Sequence, residues 1–206
     1  TYTIAEVQPP GWQQTYPGTG NQELFQADFS DENGDSSLDG FTIDNTGGEV
    51  EGLWHLSTGR GDQPNHSADD SMYFGQGEGP DGGGNYDVGW TAGRITSPVI
   101  DLSEVSEAEL SFNYFLEGET APWDDAVVLV SENGGEFTPL ASKNEGDLIN
   151  GTSGWTNAIF DLSAYAGSSI EVQFDFDTFD SIANDFEGWY VDDVTVQTTD
   201  NLPYHT

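Results

Sequence analysis

The sequence predicts an all-β protein, an antiparallel two-sheet sandwich of the jelly-roll type with long Gly- and Asp-rich loops. Over Ser169–Asp177 every second residue is apolar, which is the period of a strand with one buried and one solvated face. Ala108–Glu117 alternates in the same way. Its apolar face carries Leu110, Phe112, Tyr114 and Leu116. No stretch of the chain favours a helix longer than one or two turns.

Further segments have the composition of short strands and are bounded by Gly, Asn, Asp or Pro. They are 24–29, 40–44, 53–57, 71–75, 94–96, 99–101, 125–131, 155–161 and 188–197. Many short strands joined by long loops within about 200 residues favour two packed sheets over any arrangement that needs helices. We therefore expect one sandwich domain over residues 21–200.

Three other segments stand apart from the predicted sandwich. Residues 1–20 read as one strand followed by a proline-rich linker, and residues 201–206 as a short C-terminal tail. Residues 76–93 are too glycine-rich for regular structure, so we expect a structured excursion or a binding loop there. The absence of a starting Met or a signal-like segment suggests a piece of a larger protein.

Charge sets strong limits on the partners. The 206 residues include 38 Asp and Glu against 3 Lys and Arg, giving a formal charge of -35, so nucleic acid and anionic membranes are poor partners. No apolar run approaches the roughly 20 residues of a membrane span, which argues against membrane insertion. With no cysteine to form disulfides, a secreted protein needs another source of stability, such as a bound metal. We expect a secreted or cell-surface location in a cation-rich medium.

Five blocks of sequence, taken in order, resemble the pattern of a known type of domain. They are Ile95-Thr-Ser-Pro-Val-Ile-Asp-Leu-Ser103, Ala108-x-Leu-Ser-Phe112, Asp125-x-Val-x-Leu-Val-Ser-x-Asn-Gly-Gly135, Phe160-Asp-Leu-Ser-x-Tyr-Ala-Gly167 and Gly188-Trp-Tyr-Val-Asp-Asp-Val-Thr-Val196. Their order over residues 25–197 resembles the MAM-like and cleaved-adhesin jelly rolls of bacterial secreted proteases and surface proteins. The resemblance implies a module for adhesion, glycan contact or structural spacing.

The N-terminal segment carries a second resemblance. Tyr2-Thr-Ile-Ala-Glu-Val-Gln-Pro-Pro-Gly-Trp12 resembles the closing strand of the prealbumin-like (Cna-B or SdrD-B type) repeats of bacterial surface proteins. It implies that residues 1–12 end one repeat ahead of the sandwich. This flat, β-branched strand could pair with its own sandwich or with a neighbouring copy, so self-association is a second expectation.

A calcium site is predicted near the last strand. Strict alternation would place Asp192 on the face of Tyr190, Val194 and Val196, and an unpaired buried carboxylate needs compensation. Calcium suits clustered oxygen ligands, and the resemblance implies a calcium between Asp28 and Asp192 or Asp193. The acidic segment that would share it also contains Asp31, Glu32, Asp35 and Asp39. In the alternative, Asp192 accepts hydrogen bonds from backbone amides and the loop is only solvated.

Aromatic residues in loops indicate a possible glycan contact. Tyr86 and Trp90 lie in the glycine-rich segment and Trp123 precedes the 125–131 strand, where sugar rings could stack on them. In the alternative, these rings pack beneath their loops. Trp54, Trp155 and Trp189 lie within predicted strands and are expected in the core.

No catalytic pattern appears in the sequence. There is no Gly-x-Ser-x-Gly, no His-Glu-x-x-His and no spaced nucleophile and base, and Arg60-Gly61-Asp62 is too short a match to indicate integrin binding. We expect a non-enzymatic, calcium-stabilised extracellular module for adhesion or surface assembly, whose partners are other domains or copies of the same protein. The alternative is a carbohydrate-binding module of a secreted hydrolase or protease.

Overall fold

The computed structural model describes residues 21–30 and 37–199, which form a sandwich of two six-stranded antiparallel sheets. The strands are β1 Glu23–Ala27, β2 Thr42–Asp44, β3 Trp54–Ser57, β4 Ser71–Phe74, β5 Ala92–Thr96, β6 Ile100–Asp101, β7 Ala108–Glu117, β8 Asp125–Glu132, β9 Phe137–Ser142, β10 Thr156–Asp161, β11 Ser169–Asp177 and β12 Gly188–Thr198. Across these residues the helical structure is a single 3-10 turn at Ser163–Tyr165. No helix among them is long and apolar enough to cross a membrane.

Each sheet has a central strand that changes partner along one side. Sheet A runs β10-β7-β12-β4-β3, and sheet B runs β2-β5-β11-β8-β9. On the side of β12 away from β7, β4 pairs with its first half and β1 with its second half. In the same way, on the side of β11 away from β8, β6 pairs with its first two residues and β5 with its second half. The predicted jelly-roll sandwich is therefore confirmed.

The core lies between the sheets and is built from alternating residues, as the period of two requires. The predicted inward face of β7 is confirmed, since Leu110, Phe112, Tyr114 and Leu116 are all buried. In β11 the alternate residues from Ile170 to Phe176 pack against them, with Phe112 and Phe174 in edge-to-face contact at 5.0 Å. Trp54, Trp155 and Trp189 are buried, as predicted.

A β-bulge in β12 changes which of its residues face the core. Between Asp192 and Thr195 the register against β7 shifts by one residue, and Asp193 has a φ of +50°. Trp189, Val191, Val194 and Val196 therefore all face the core. Tyr190 belongs instead to a separate cluster with Tyr73, Phe115 and Trp155. The prediction that Tyr190 and Val194 share a face is wrong because strict alternation does not survive the extra residue.

Strand β9 is absent from the sequence prediction. Phe137–Ser142 forms the edge of sheet B beside β8, with Pro139 opposite Leu129 where the register shifts. Proline has no backbone N–H to donate and is tolerated only at edges or irregular positions, so its presence argued against a strand. The other strands predicted within residues 21–200 are observed with ends displaced by at most two residues, and the strand predicted in residues 1–12 lies outside the described residues.

A second aromatic layer covers the outer side of sheet A. Tyr73, Phe115 and Tyr190 occupy one paired row, and Tyr73 stacks on Tyr190 at 3.9 Å. The loop between β3 and β4, residues 58–70, folds over this layer: the Arg60 guanidinium lies 3.6 Å from the centre of the Phe115 ring. The outer side of sheet A is thus a small polar-aromatic core that the loop closes.

Candidate functional site

Three aromatic residues extend from one end of three adjacent strands of sheet B. Ala92 of β5 and Asp125 of β8 both pair with Asp177 of β11. Trp90, Trp123 and Phe179 each lie two residues beyond this row. Neighbouring strands are about 4.8 Å apart, so the paired residues Ala92, Asp177 and Asp125 from which the three aromatic residues extend span about 10 Å. We call these three residues the aromatic row.

Two members of the row are held by one carboxylate. The Trp90 indole Nε1 donates to Asp177 Oδ1 at 2.9 Å, and the Phe179 backbone N–H donates to the same oxygen at 2.7 Å. Phe179 has a φ of +56°, an unfavourable conformation for a bulky aromatic residue, and its side chain is 48% exposed. Strained backbone that holds an aromatic ring in solvent is a feature of functional positions.

The third member is anchored by a buried ammonium group. Lys143 Nζ donates to the carbonyl oxygens of Trp123 and Glu119 at 3.1 and 2.7 Å, and to Asn144 Oδ1 at 2.9 Å. Burial lowers the pKa of Lys143, although nearby carboxylates, Asp125 first among them, oppose that shift. The backbone below Trp123 is thereby fixed, while the Trp123 side chain is 47% exposed.

Tyr86, the remaining predicted ligand contact, is a core residue. Its ring is fully buried in edge-to-face contact with Phe176, and its hydroxyl donates to the buried carboxylate of Asp124. The prediction that Tyr86 offers a sugar platform is wrong because the glycine-rich segment turns back at Gly79–Gly82 and carries the ring under the loop. Phe179 is instead an exposed aromatic residue at this end of sheet B, and the sequence signal for it was an aromatic residue two positions after the alternating strand β11.

The acidic pair at the β12 bulge is satisfied by protein donors. Asp192 is fully buried; its Oδ2 accepts from His66 Nδ1 at 2.9 Å and Ser67 Oγ at 3.0 Å, and its Oδ1 accepts from the Asp193 N–H. Asp193 Oδ2 accepts from the Ser67 N–H at 2.8 Å and Asn113 Nδ2 at 2.7 Å. Both carboxylate oxygens of Asp192 therefore have hydrogen-bond partners within the protein, and a calcium ion at Asp192 or Asp193 stays a prediction.

His66 has no free ring nitrogen for catalysis. Its Nε2 lies 3.0 Å from the carbonyl oxygen of Arg60 and its ring stacks on Trp155 at 4.0 Å, with the side chain fully buried. Because a carbonyl oxygen only accepts, Nε2 is the donor in the hydrogen bond to Arg60. Burial raises the pKa of Asp192 to about 6, against the lowering effect of the His66 hydrogen bond. His66, Ser67 and Asp192 thus hold the loop closed.

The acidic segment near β1 is only partly described. Asp39 Oδ2 accepts from the backbone N–H groups of Asp28 and Phe29 at 3.1 and 2.8 Å, and Asp28 Oδ1 accepts from Ser30. Over residues 21–30 and 37–199 no group of three or more His, Asp or Glu side chains could hold a metal ion. Calcium binding by the predicted set as a whole stays a prediction. Asp31, Glu32 and Asp35 lie outside the described residues.

Arg60 is committed to an internal ion pair. Its Nε and Nη2 donate to the two carboxylate oxygens of Glu187, each at 2.6 Å, and both side chains are nearly buried. A guanidinium held on two oxygens and stacked on Phe115 is not available to a receptor. The Arg60-Gly61-Asp62 tripeptide is thus a structural element of the loop over sheet A.

Comparison with solved structures finds the same β-sandwich fold in other proteins. The K1 cleaved adhesin domain of Lys-gingipain from Porphyromonas gingivalis W83 has a TM-score of 0.53 and 18% identity, over 85% of this chain and 98% of that domain. A structure of carbohydrate-binding modules from the β-sandwich superfamily has a TM-score of 0.50 and 12% identity, over 78% of this chain and 58% of that chain. These similarities establish the fold alone.

Sequence comparison finds segments of much longer proteins. Bacillopeptidase F of Bacillus subtilis is 46% identical over 61 residues, which are 28% of this chain and 4% of that protein. The pre-pro-metalloprotease PrtV of Vibrio cholerae is 34% identical over 114 residues, which are 52% of this chain and 12% of that protein. No protein-family model matches the chain. The matched segment is thus a small part of each relative.

Proposed function

We propose that this domain is a non-catalytic binding module of a larger secreted protein, and that it contacts neutral glycans through the aromatic row. The observation that carries the proposal is the alignment of Trp90, Phe179 and Trp123 beyond one paired row of sheet B, with two of the rings about half exposed. Sugar rings present apolar C–H faces that stack on aromatic side chains, and a row of such rings suits a chain of sugars.

The surrounding charge selects among glycans. Asp177 is shared by two members of the row, and Asp180 and Asp125 lie in the adjoining segments. Carboxylates accept hydrogen bonds from sugar hydroxyls, but they repel uronates and sulfates, as does the overall charge of -35. The proposed ligand is therefore an uncharged polysaccharide.

The comparisons support a modular, extracellular role. The fold is shared with a cleaved adhesin domain and with carbohydrate-binding modules, and the matched relatives are proteins of which this segment is a small part. We propose the same arrangement here, with the module serving to hold a larger protein at a surface or polymer. The lack of cysteine and the acidic surface suit an extracellular medium rich in cations.

Binding to a panel of neutral polysaccharides tests the proposal. Affinity electrophoresis in gels that contain xylan, mannan, galactan or β-glucan should show retardation by at least one of them. Replacing Trp123 or Phe179 by Ala should weaken binding about tenfold or more, since each removes one stacking surface. Ile159→Ala is the matched control because Ile159 is also exposed but lies on β10. Equal loss in all three variants would contradict a role for the row.

Calcium binding remains a proposal for the segment that contains Asp31, Glu32 and Asp35. The motivation is the density of carboxylates between Asp28 and Asp39 in a chain with so few cations. Calorimetric titration with calcium tests it, with Asp31→Asn and Asp35→Asn as a combined variant that should abolish the heat. An isolated acid, Glu145→Gln, is the control. If the titration of the unmodified protein with calcium shows no heat of binding, this proposal is wrong.

Self-association through residues 1–12 is a further proposal, for a segment that lies outside the described residues. The β-branched Tyr2-Thr-Ile-Ala-Glu-Val-Gln8 favours pairing with an exposed strand edge, and a head-to-tail contact of that kind propagates. Removing residues 1–12 should convert an assembled species to a monomer in light scattering. An unchanged mass after the deletion would rule the donated strand out.

A further inference from the structure

An open cleft of about 600 Å³ lies beside the loop over sheet A, away from the aromatic row. One side is formed by residues 63–65 of the β3–β4 loop, and the other by Ile149 and residues 151–156, which lead into β10. Trp155 forms the floor between the two sides. The cleft thus belongs to a different sheet and different loops from the row.

The lining of this cleft differs from the rest of the protein surface. None of the described residues that line it carries a charge, although 20% of the chain is charged. Three lining side chains with hydrogen-bonding groups make no hydrogen bond within residues 21–30 and 37–199: Asn65, Ser153 and Thr156. Pro64 and Ile149 add exposed aliphatic surface. Neutral donors and acceptors beside small apolar patches match a sugar ring, which combines a C–H face with a rim of hydroxyls.

Both sides of the cleft are held in place. The 63–65 side is flanked by the Arg60–Glu187 and His66–Asp192 pairs, and Gln63 bonds to Arg60 and to the carbonyl of Asp81. On the facing side, the N–H groups of Gly151 and Thr152 donate to the carbonyl of Leu116. A site whose walls are already fixed loses little conformational freedom when a ligand binds.

One lining residue presents an unused polar side chain. Asn65 has a φ of +77°, a left-handed conformation that asparagine adopts more readily than most residues, and its exposed amide has no partner among the described residues. This amide at the edge of the cleft is therefore available to a ligand.

We propose that this cleft is a second glycan-binding site, which takes one or two uncharged sugar units independently of the aromatic row. Ile149 and Pro64 would contact the C–H face of the sugar, while Asn65, Ser153 and Thr156 would exchange hydrogen bonds with its hydroxyls. With two sites on different loops, one module engages two points of a polymer or two chains, which raises the retention of the parent protein without stronger contacts at either site.

The test is a backbone-amide NMR titration of the whole chain with β-1,4-linked hexasaccharides of glucose, xylose, mannose and galactose. At least one sugar should shift the amides of residues 63, 65 and 151–156, and these shifts should persist in a Trp90→Ala, Trp123→Ala double variant. Ile149→Asp should weaken binding at the cleft about tenfold, and Asn65→Gly, which suits the backbone, about fivefold. Ile159→Asp adds the same charge at an equally exposed position and should change nothing.

The outcomes separate the two proposals. Shifts at the cleft with none at the row support the second site and overturn the row. Shifts confined to the row, or cleft shifts that vanish in the double variant, overturn the second site. It is also overturned if Ile159→Asp weakens binding as much as Ile149→Asp, or if tetra-alanine shifts the cleft amides and no sugar does.

Discussion

Asp192 shows how a chain with few cations neutralises a buried acid. Its partner is a histidine that is itself fully buried and whose two ring nitrogens both face oxygen atoms. The pair closes the β3–β4 loop over sheet A at the point where β12 changes partner from β4 to β1. Loss of either side chain therefore affects the loop and the sheet together.

Replacing His66 by Ala should lower the free energy of unfolding by about 3 kcal/mol, because it leaves a buried carboxylate without its partner. Chemical denaturation followed by tryptophan fluorescence measures the change. His55→Ala is the control: His55 pairs with Glu78 at 2.9 Å but its side chain is 42% exposed, so its loss should be about 1 kcal/mol or less. Similar values for the two variants would contradict the role given to burial.

The raised pKa of Asp192 predicts a fall in stability as the pH rises. Its folded pKa is about 6 while that of an unfolded aspartate is about 3.9, so the folded protein holds the proton more tightly. This contribution is complete below about pH 4 and is lost as the pH rises through about 6. Asp175, whose pKa burial also raises to about 6, acts in the same direction.

Urea denaturation from pH 4.5 to 7.5 tests whether the stability of the protein falls as the pH rises. The free energy of unfolding should decline across this range, and the decline should be shallower in Asp192→Asn, which lacks the titrating carboxyl group. The comparison matters because relief of surface repulsion at low pH also favours the folded protein. Equal slopes in the two proteins would refute the assignment to Asp192.

At the scale of elements, the sequence predicted regular strands well and irregular ones poorly. The inward faces of strands β7 and β11 are apolar at every second residue, and their predicted bounds match the observed ones. The bulge in β12 was missed because an extra residue leaves no mark on composition. Edge strand β9 was missed because Pro139 is a strand breaker everywhere except at an edge, and the edge is known only from the assembled sheet.

The aromatic row was predictable only in part, because it too depends on how the strands pair in the assembled sheet. Trp90 and Trp123 were identifiable as loop aromatics, but their alignment depends on the pairing of both β5 and β8 with β11. Tyr86 was indistinguishable from them until the fold of the glycine-rich segment placed it in the core. The pairing of Asp192 with His66 spans 126 residues and has no local signal.

The loop that carries Trp123 should depend on Lys143. In Lys143→Met the carbonyl oxygens of Glu119 and Trp123 lose their donor and the buried Asp124 loses a nearby positive charge. We expect a loss of about 2–3 kcal/mol and faster amide exchange in residues 119–124. Arg94→Met also removes one positive charge, but from a partly exposed pair with Asp44 at 3.5 Å, and should lose under 1 kcal/mol. Unchanged exchange in Lys143→Met would disprove the anchoring role.

At the scale of the whole molecule, the charge of -35 should make stability depend on salt. Screening shortens the range of repulsion from about 10 Å at 0.1 M to about 3 Å at 1 M, so the melting temperature should rise with sodium chloride. Differential scanning calorimetry at several salt concentrations measures the effect. Calcium chloride at matched ionic strength separates screening from specific binding. A melting temperature that is flat up to 1 M salt would oppose this account.

The pairing of β1 with β12 also has a mechanical consequence. Residues 22 and 198 bond to each other, through Gln22 N–H to Thr198 Oγ1 at 2.9 Å and Thr198 N–H to Gln22 O at 2.8 Å, so the polypeptide enters and leaves the sandwich at one point. The module therefore adds little length between whatever is attached at its two ends. Tension applied at this point acts on the hydrogen bonds between β1 and β12 one pair after another. Strand β1 therefore separates from β12 before force reaches the rest of either sheet.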